Sequence, residues 1–393
     1  MHIAIICEEY PPAPHGGTGA SYRDLAEGLV LAGHKATVIG VSTTQPLSAR
    51  VDEAQKGVRI IRLPRARPRL GTRLGGSWER WTLRRVLSAE HVRTPFDVVE
   101  ASDYNGWLSQ GAIPSIPSVV RIRGSNLFFD SELKRKPSVF EHRHERAALE
   151  RATHLGAVSR YAAERTLALC SLSGRACAIL PNGVDVVRFS PPEVSRMEKG
   201  LVVFVNSLNP KKGIEELIDA MNEILPARPE SRLVVIGADT QSKSGDYLAA
   251  LKNRVSPDVR SRVEFTGRLG RDEIIPWLQR AAVACYPSHM ETFGIAPLEA
   301  MSVGCPTIFS KLGPGPEVVE DDASGLLCDP RDAKDIERCI NRILDDDALA
   351  ARLSATARQR VLEKFDSRDW VRRNVDFYQS CIASFPAKKP ARK

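Results

Sequence analysis

Short apolar runs alternate along this chain with longer stretches of helical spacing. IAIIC (3–7), KATVIGV (35–41), VRIIRL (58–63), FDVVEAS (96–102), SVVRI (118–122) and HLGAV (154–158) have strand length and β-branched content. Helical patterns lie between most of them, among them Ser21 to Leu31 and Val139 to Arg151. The alternation restarts with LVVFV (201–205), RLVVIG (232–237), VEFTG (263–267), VACYP (283–287), PTIFS (306–310) and GLLC (325–328). Such alternation predicts parallel sheets with right-handed crossovers, that is, doubly wound α/β domains.

The segment PNGVDVVRFSPPEVSRMEKG, residues 181–200, interrupts the pattern with three prolines and an Asn-Gly step. Two Rossmann-like domains are expected, at 1–190 and 191–365. Residues 366–393 should form a C-terminal helix returning to the first domain, with a basic end, PAKKPARK. A length of 393 residues agrees with two cores rather than one. In such folds ligands bind outside the carboxyl ends of the strands, and a pair of domains is expected to hold one in the cleft between them.

Composition narrows the picture a little. An apolar fraction of 42% and a charged fraction of 26% are ordinary for a globular protein. The formal net charge of +8 favours acidic partners without choosing among them. Eight scattered cysteines with no C-x-x-C pair exclude zinc-knuckle spacing and argue against a disulfide framework. A reduced, cytoplasmic setting is expected. No run approaches the ~18 apolar residues of a membrane span.

Three loops after strands carry candidate chemistry. In EEYPPAPHGGTGASY, Gly16, Gly17 and Gly19 precede a helix, where free N–H groups suit a phosphate. The spacing is not the G-x-G-x-x-G fingerprint, and an ordinary turn explains it equally well. In NPKKGIEELIDAM, Lys211 and Lys212 stand at a strand–helix join, either reaching a phosphate or simply solvated. In ETFGIAPLEAM, Pro297 places a helix start between Phe293 and Pro297. Glu299 then falls in its first turns, with Glu291 just ahead. A carboxylate there complements the helix dipole, but Ala296 leaves no capping box for Glu299. Alternatively, the amides of Phe293, Gly294 and Ile295 face a pyrophosphate while both carboxylates accept sugar hydroxyls.

Four segments resemble glycosyltransferase family 4, the retaining, group 1 enzymes of GT-B fold. SHMETFGIAPLEAMSVGCPTI is similar to the family's E-x7-E stretch, and GPGPEVVEDDASGLLCDP to the element after it. ILPNGVDVVRFSP resembles the interdomain segment, and YPPAPHGGTGASYRDLAEGLVLAGHKATVI the glycine-rich N-terminal unit. The resemblance implies metal-independent transfer of a sugar from a UDP-, GDP- or ADP-linked donor to an acceptor hydroxyl, with no cofactor. It implies that Glu299 holds the donor ribose and Glu291 the sugar hydroxyls. Phe293, Gly294 and Ile295 would supply amides, Gly16 and Gly17 would approach the phosphate from the first domain, and Lys212 would neutralise the leaving diphosphate. Backbone at Arg268 and Leu269 would meet the nucleobase.

Two positions depart from the family. Arg123, in VVRIRGSN, stands where His is common, and Asn206 and Ser207 stand where Gly-Arg is common. Ser207 remains a donor-loop candidate, and Arg123 becomes the candidate replacement cation. Asp103 and Tyr104, after FDVVEAS, are acceptor candidates. Ten arginines against Glu79 and Glu90 between residues 59 and 93, with Trp78 and Trp81, suit an anionic membrane surface. The plainer alternative is a solvated helix whose Trp face packs on its domain. The expected partners are thus a nucleotide-sugar, a glycan or lipid-linked saccharide, and a peripheral site at the inner membrane face. A catalytically weak nucleotide-sugar binder of the same fold is the alternative. Nucleic-acid binding is disfavoured by the lack of aromatic–basic recognition motifs.

Overall fold

The computed structural model describes residues 1–12, 16–42, 47–65, 71–193, 197–241 and 246–386. The chain forms two compact units, Met1–Asn182 with the chain from Arg368 onward, and Gly183–Ser367. The second unit begins at Gly183 and not at residue 191. Val184 donates to Phe365 and accepts from Ser367, so the chain joins the second unit at once.

The first unit contains β1 (His2–Ile6), β2 (Lys35–Val41), β3 (Val51–Gln55), β4 (Val58–Leu63), β5 (Val98–Ser102), β6 (Ser118–Ile122), β7 (His154–Ala157) and β8 (Ala178–Ile179). Their order is β3-β4-β2-β1-β5-β6-β7-β8, parallel except for β3. The helices are α1 (Gly17–Leu31), α2 (Gly71–Arg93), α3 (Asn126–Glu132), α4 (Val139–Arg151) and α5 (Arg160–Leu169). Strand β3 has no apolar pattern because every residue of VDEAQ is exposed. It is an edge strand, turned back through Lys56 and Gly57 at φ 47° and 79°.

The second unit contains β9 (Leu201–Val205), β10 (Arg232–Ile236), β11 (Val263–Gly267), β12 (Val283–Tyr286), β13 (Thr307–Ser310) and β14 (Leu326–Cys328). All are parallel, in the order β11-β10-β9-β12-β13-β14. Its helices are α6 (Ile214–Ala227), α7 (Asp246–Arg254), α8 (Arg271–Arg280), α9 (Ile295–Ser302), α10 (Gly315–Val318), α11 (Ala333–Asp345) and α12 (Asp347–Lys364).

The last helix, α13 (Ser367–Ser384), buries Trp370, Val371, Tyr378 and Cys381 against Tyr22, Leu25 and Leu29 of α1 and strands of the first sheet. Each such side chain contributes roughly 1.5–3 kcal/mol by leaving water. Polar bonds fix its register. Arg121 pairs with Glu100 at 2.7 Å, Tyr378 donates to Glu100 at 2.8 Å, and Arg121 donates to Asn374 at 2.7 Å.

Each sheet reverses its winding once, between β1 and β5 in the first unit and between β9 and β12 in the second. Loops leaving those strands flank the crevice where open α/β sheets bind ligands.

Candidate functional site

In the second unit the switch point lies between the loops after β9 and β12, which hold Lys212 and Glu291. Gly213 brings the loops together. At its φ of 69° a Cβ would lie 1.8 Å from the Pro287 carbonyl oxygen, so a side chain is excluded. Beside it, the amides of His289 and Met290 donate to the Lys211 carbonyl at 2.9 and 3.3 Å. The result is direct contact between distant residues. Lys212 Nζ meets Glu291 Oε1 at 2.5 Å, the side chains 12% and 15% exposed. Ser288 Oγ donates to the same oxygen at 3.4 Å.

Helix α9 follows this loop. Gly294 at φ 103° is its N-cap, no side chain caps it, and its first turn holds no acid. Phe293 buries its ring edge-on to Phe365 at 6.0 Å, leaving its backbone to the loop. Ile295 is the first helical residue. Glu299 is the fifth, beyond the reach of a capping role, and is buried. Its carboxylate meets Arg271 Nε at 3.3 Å. Arg268 and Leu269 lie on the loop between β11 and α8, Arg268 exposed and Leu269 half-buried. Ser207 Oγ accepts from Asn209 Nδ2 at 2.9 Å, and the same amide reaches Thr240 Oγ1 at 3.3 Å.

The first unit's switch point is built differently. Gly16 caps α1 without a side-chain bond, its amide donating to Glu9 Oε2 at 2.9 Å, and Gly17 opens the helix. Half-buried Glu8 accepts from Asn105 Nδ2 at 2.9 and 3.2 Å. Asn105, at φ 61°, sits in a turn that lies against the α4 backbone at Gly106. Its amide donates to Glu145 Oε1 at 3.0 Å, and Glu145 also accepts from the amides of Asn126 and Leu127. Burial pushes Glu8 up to about 8, against the Asn105 hydrogen bond. Burial likewise pushes Glu145 up to about 7 and Asp103 to about 6.

Two sequence expectations need correcting here. Asp103 offers no surface to an acceptor, being 0% exposed. Its carboxylate accepts the amides of Arg123 and Gly124 at 2.9 and 3.3 Å and so pins the loop after β6. Tyr104 is half-buried beside it. Arg123 is not extended as a replacement cation, because its guanidinium is buried within its own unit. Nη1 donates to Ser21 Oγ and Asn182 Oδ1, each at 2.9 Å, and the group stacks 4.4 Å over Tyr22.

Sequence reasoning missed Arg271, Asn209, Glu8, Asn105 and Glu145. Glu8 carried a signal, an acid two residues past a buried strand. The others carried none, since no spacing relates residue 271 to 299 or 105 to 145.

Of the Arg-rich segment, residues 66–70 lie outside the described residues, as does the basic end at 387–393. On α2, Glu79 and Glu90 are both turned inward, Glu90 paired with Arg50 and Arg59 at 2.7 Å each. The Trp face is only partly packed on its domain. Trp78 and Trp81 are 39% and 47% exposed, with Arg85 4.7 Å over the Trp81 ring and Arg84 exposed beside it. Among the described residues, no helix is long and apolar enough to cross a membrane.

Comparison with known proteins agrees with this architecture. Residues 188–360 match the model for glycosyl transferases group 1, and residues 15–188 that for glycosyltransferase family 4. A glycogen synthase of Mycobacterium tuberculosis is 30% identical over 93% of this chain and 91% of its own. Two solved structures share the fold. Sucrose-phosphate synthase of Thermosynechococcus elongatus has a TM-score of 0.82 at 23% identity, covering 98% of this chain and all of its own. Anabaena HepE, solved in complex with UDP-glucose, has a TM-score of 0.74 at 20% identity over 97% of this chain and all of its own.

Proposed function

Since the chain belongs to the group 1, family 4 glycosyltransferases and is a glycosyltransferase of GT-B fold, we propose that it moves a sugar from a nucleotide-sugar to a hydroxyl of a glycan or lipid-linked acceptor, with retention and without a metal. The observation that carries the reading is the second unit's switch point, where Lys212 and Glu291 meet beside the uncapped start of α9 and above Glu299 in sequence. A nucleotide diphosphate needs a cation, amides and hydroxyl acceptors within a few ångströms, and this loop pair supplies all three. Glu299 takes the ribose, Glu291 the sugar hydroxyls, and Lys212 the charge that develops on the leaving diphosphate. The backbone of Phe293, Gly294 and Ile295 serves the phosphate and sugar, and that of Arg268 and Leu269 the base. In the first unit Gly16 and Gly17 present the start of α1, and Tyr104 stands on the acceptor side.

The test is thermal unfolding with UDP, GDP, ADP and their sugar conjugates, with and without EDTA. A ligand at a hundredfold excess over Kd adds about 2.7 kcal/mol of stability. The expected result is a base-selective shift, indifferent to EDTA and lost in Glu299→Ala. No shift with any nucleotide defeats the reading. A second reading, a nucleotide-sugar binder with little turnover, is favoured by Ser207 in the arginine position and by the engagement of Arg123. Turnover of the donor that gives the shift separates the two.

The α2 face supports work at an anionic membrane surface, because Glu79 and Glu90 are buried while Trp78, Trp81, Arg84, Arg85 and Arg93 are exposed. Co-sedimentation with phosphatidylserine vesicles at low salt should be lost in Trp78→Ala/Trp81→Ala. Absence of wild-type binding removes this part of the proposal.

A further inference from the structure

We infer that Arg271 is a positioning residue for the donor nucleotide: it holds the Glu299 carboxylate in the orientation that receives the ribose diol, and so sets the preference for ribose over 2′-deoxyribose. The inference rests on the reading of Glu299 as the ribose group. Glu299 is enclosed, with 9% of its side chain exposed, and an enclosed carboxylate without a compensating partner is costly. Lys212 does not serve it, since that amine is bound to Glu291. Arg271 Nε, brought from another helix, is in contact at 3.3 Å from Oε1.

Its anchor is firm. Arg271 is the first residue of α8, whose start is closed by Gly270 N donating to Glu273 Oε2 at 2.7 Å. The guanidinium therefore reaches Glu299 from a fixed backbone. Nε contacts one carboxylate oxygen, and an ionised carboxylate is an acceptor that can take hydroxyl donors beside such a contact. A planar guanidinium beside the group limits its rotation, which a point-charge ammonium would do less well. Arg271 also follows Arg268 and Leu269 on one loop, so base and ribose would be read from the same segment. No arginine stands at 206 or 207, and Arg271 brings a guanidinium into contact with a donor-side carboxylate.

The experiment is calorimetric titration of the full chain with UDP, GDP, ADP and their 2′-deoxy counterparts, using whichever pair the wild type binds. Loss of one hydroxyl bond to a charged group weakens binding about tenfold or more, so the wild type should prefer the ribonucleotide by that factor. Glu299→Gln should bring the ratio near unity. Arg271→Ala should reduce it to about twofold by weakening the ribonucleotide alone, and Arg271→Lys should restore only part of it. An unchanged ratio in Arg271→Ala, with a collapsed one in Glu299→Gln, overturns the inference while leaving the donor site standing. Equal weakening of both nucleotides by Arg271→Ala also overturns it, placing Arg271 on phosphate or base. A ratio unaffected by Glu299→Gln instead overturns the reading of Glu299, and this inference with it. Unfolding of each unliganded variant guards against misfolding, and Arg271→Gln replaces the alanine variant if that one does not fold.

Discussion

At the switch point of the second unit, Glu291 faces Lys212 and Glu299 faces Arg271. At that of the first, Glu8, Glu145 and Asp103 are held by amide hydrogen bonds, and burial pushes all three upward. The two crevices share a topology and differ in how they treat a carboxylate. The part-exposed Lys212–Glu291 pair can exchange its partners for a phosphate and a hydroxyl at little net change in charge. The fully buried carboxyls of Asp103 and Glu145 cannot do so without opening the loops that they hold. The first unit also owns an ion pair, Arg121 with Glu100, but both are at most 1% exposed and are completed by α13. The same residue types build a joint in one unit and the proposed ligand surface in the other, and solvent access separates the Lys212–Glu291 pair from the Arg121–Glu100 pair.

That contrast is open to attack, beginning with the buried pair. Arg121→Met leaves Glu100 enclosed without its cation, and urea unfolding should show a loss of about 3–5 kcal/mol. Much of that should return in Glu100→Gln/Arg121→Met, and a loss below about 1 kcal/mol would show the pair to be dispensable. Lys212→Ala attacks the other side. It should leave the fold intact and lower kcat by about 10²–10³, or about 2.7–4 kcal/mol in barrier, if Lys212 meets the leaving group. Near-normal turnover would put the phosphate elsewhere.

Gly213→Ala tests the loop contact that makes the second pair. Strain at positive φ costs about 1–3 kcal/mol, and the Pro287 carbonyl must also move. Nucleotide-induced stabilisation should fall with it, whereas Gly174→Ala, in open space, should be silent. The last effect is one of pH. Glu8, raised by burial to about 8, binds its proton more tightly folded than unfolded. Its contribution is therefore present below the ordinary carboxyl range and is lost as pH rises toward 8. Glu8→Gln should flatten the decline in stability between about pH 4.5 and 8. An identical slope in wild type and variant would show that Glu8 ionises normally.

Much of this fold was legible because buried parallel strands are continuous apolar runs, and LVVFV or KATVIGV have few other uses. Strand β3 was not, since an exposed edge strand carries no such run. The start of α9 was legible from Pro297, whose fixed φ belongs in a first helical turn. Glu291, Lys212 and Glu299 could be listed by resemblance, but their pairing could not.

By itself, then, the sequence determined the two α/β cores, the helix starts and the family of this enzyme, because these depend on local periodicity and on motifs a few residues long. Tertiary structure alone decided which charges meet. Lys212 reaches Glu291 across 79 positions, because Gly213 lets one loop close on the next. Arg121 reaches α13 across 253, because a parallel sheet buries both faces and needs that helix as cover. Whether a carboxylate is paired, protonated or enclosed depends on neighbours that the winding of a sheet brings together, and no spacing along the chain encodes them.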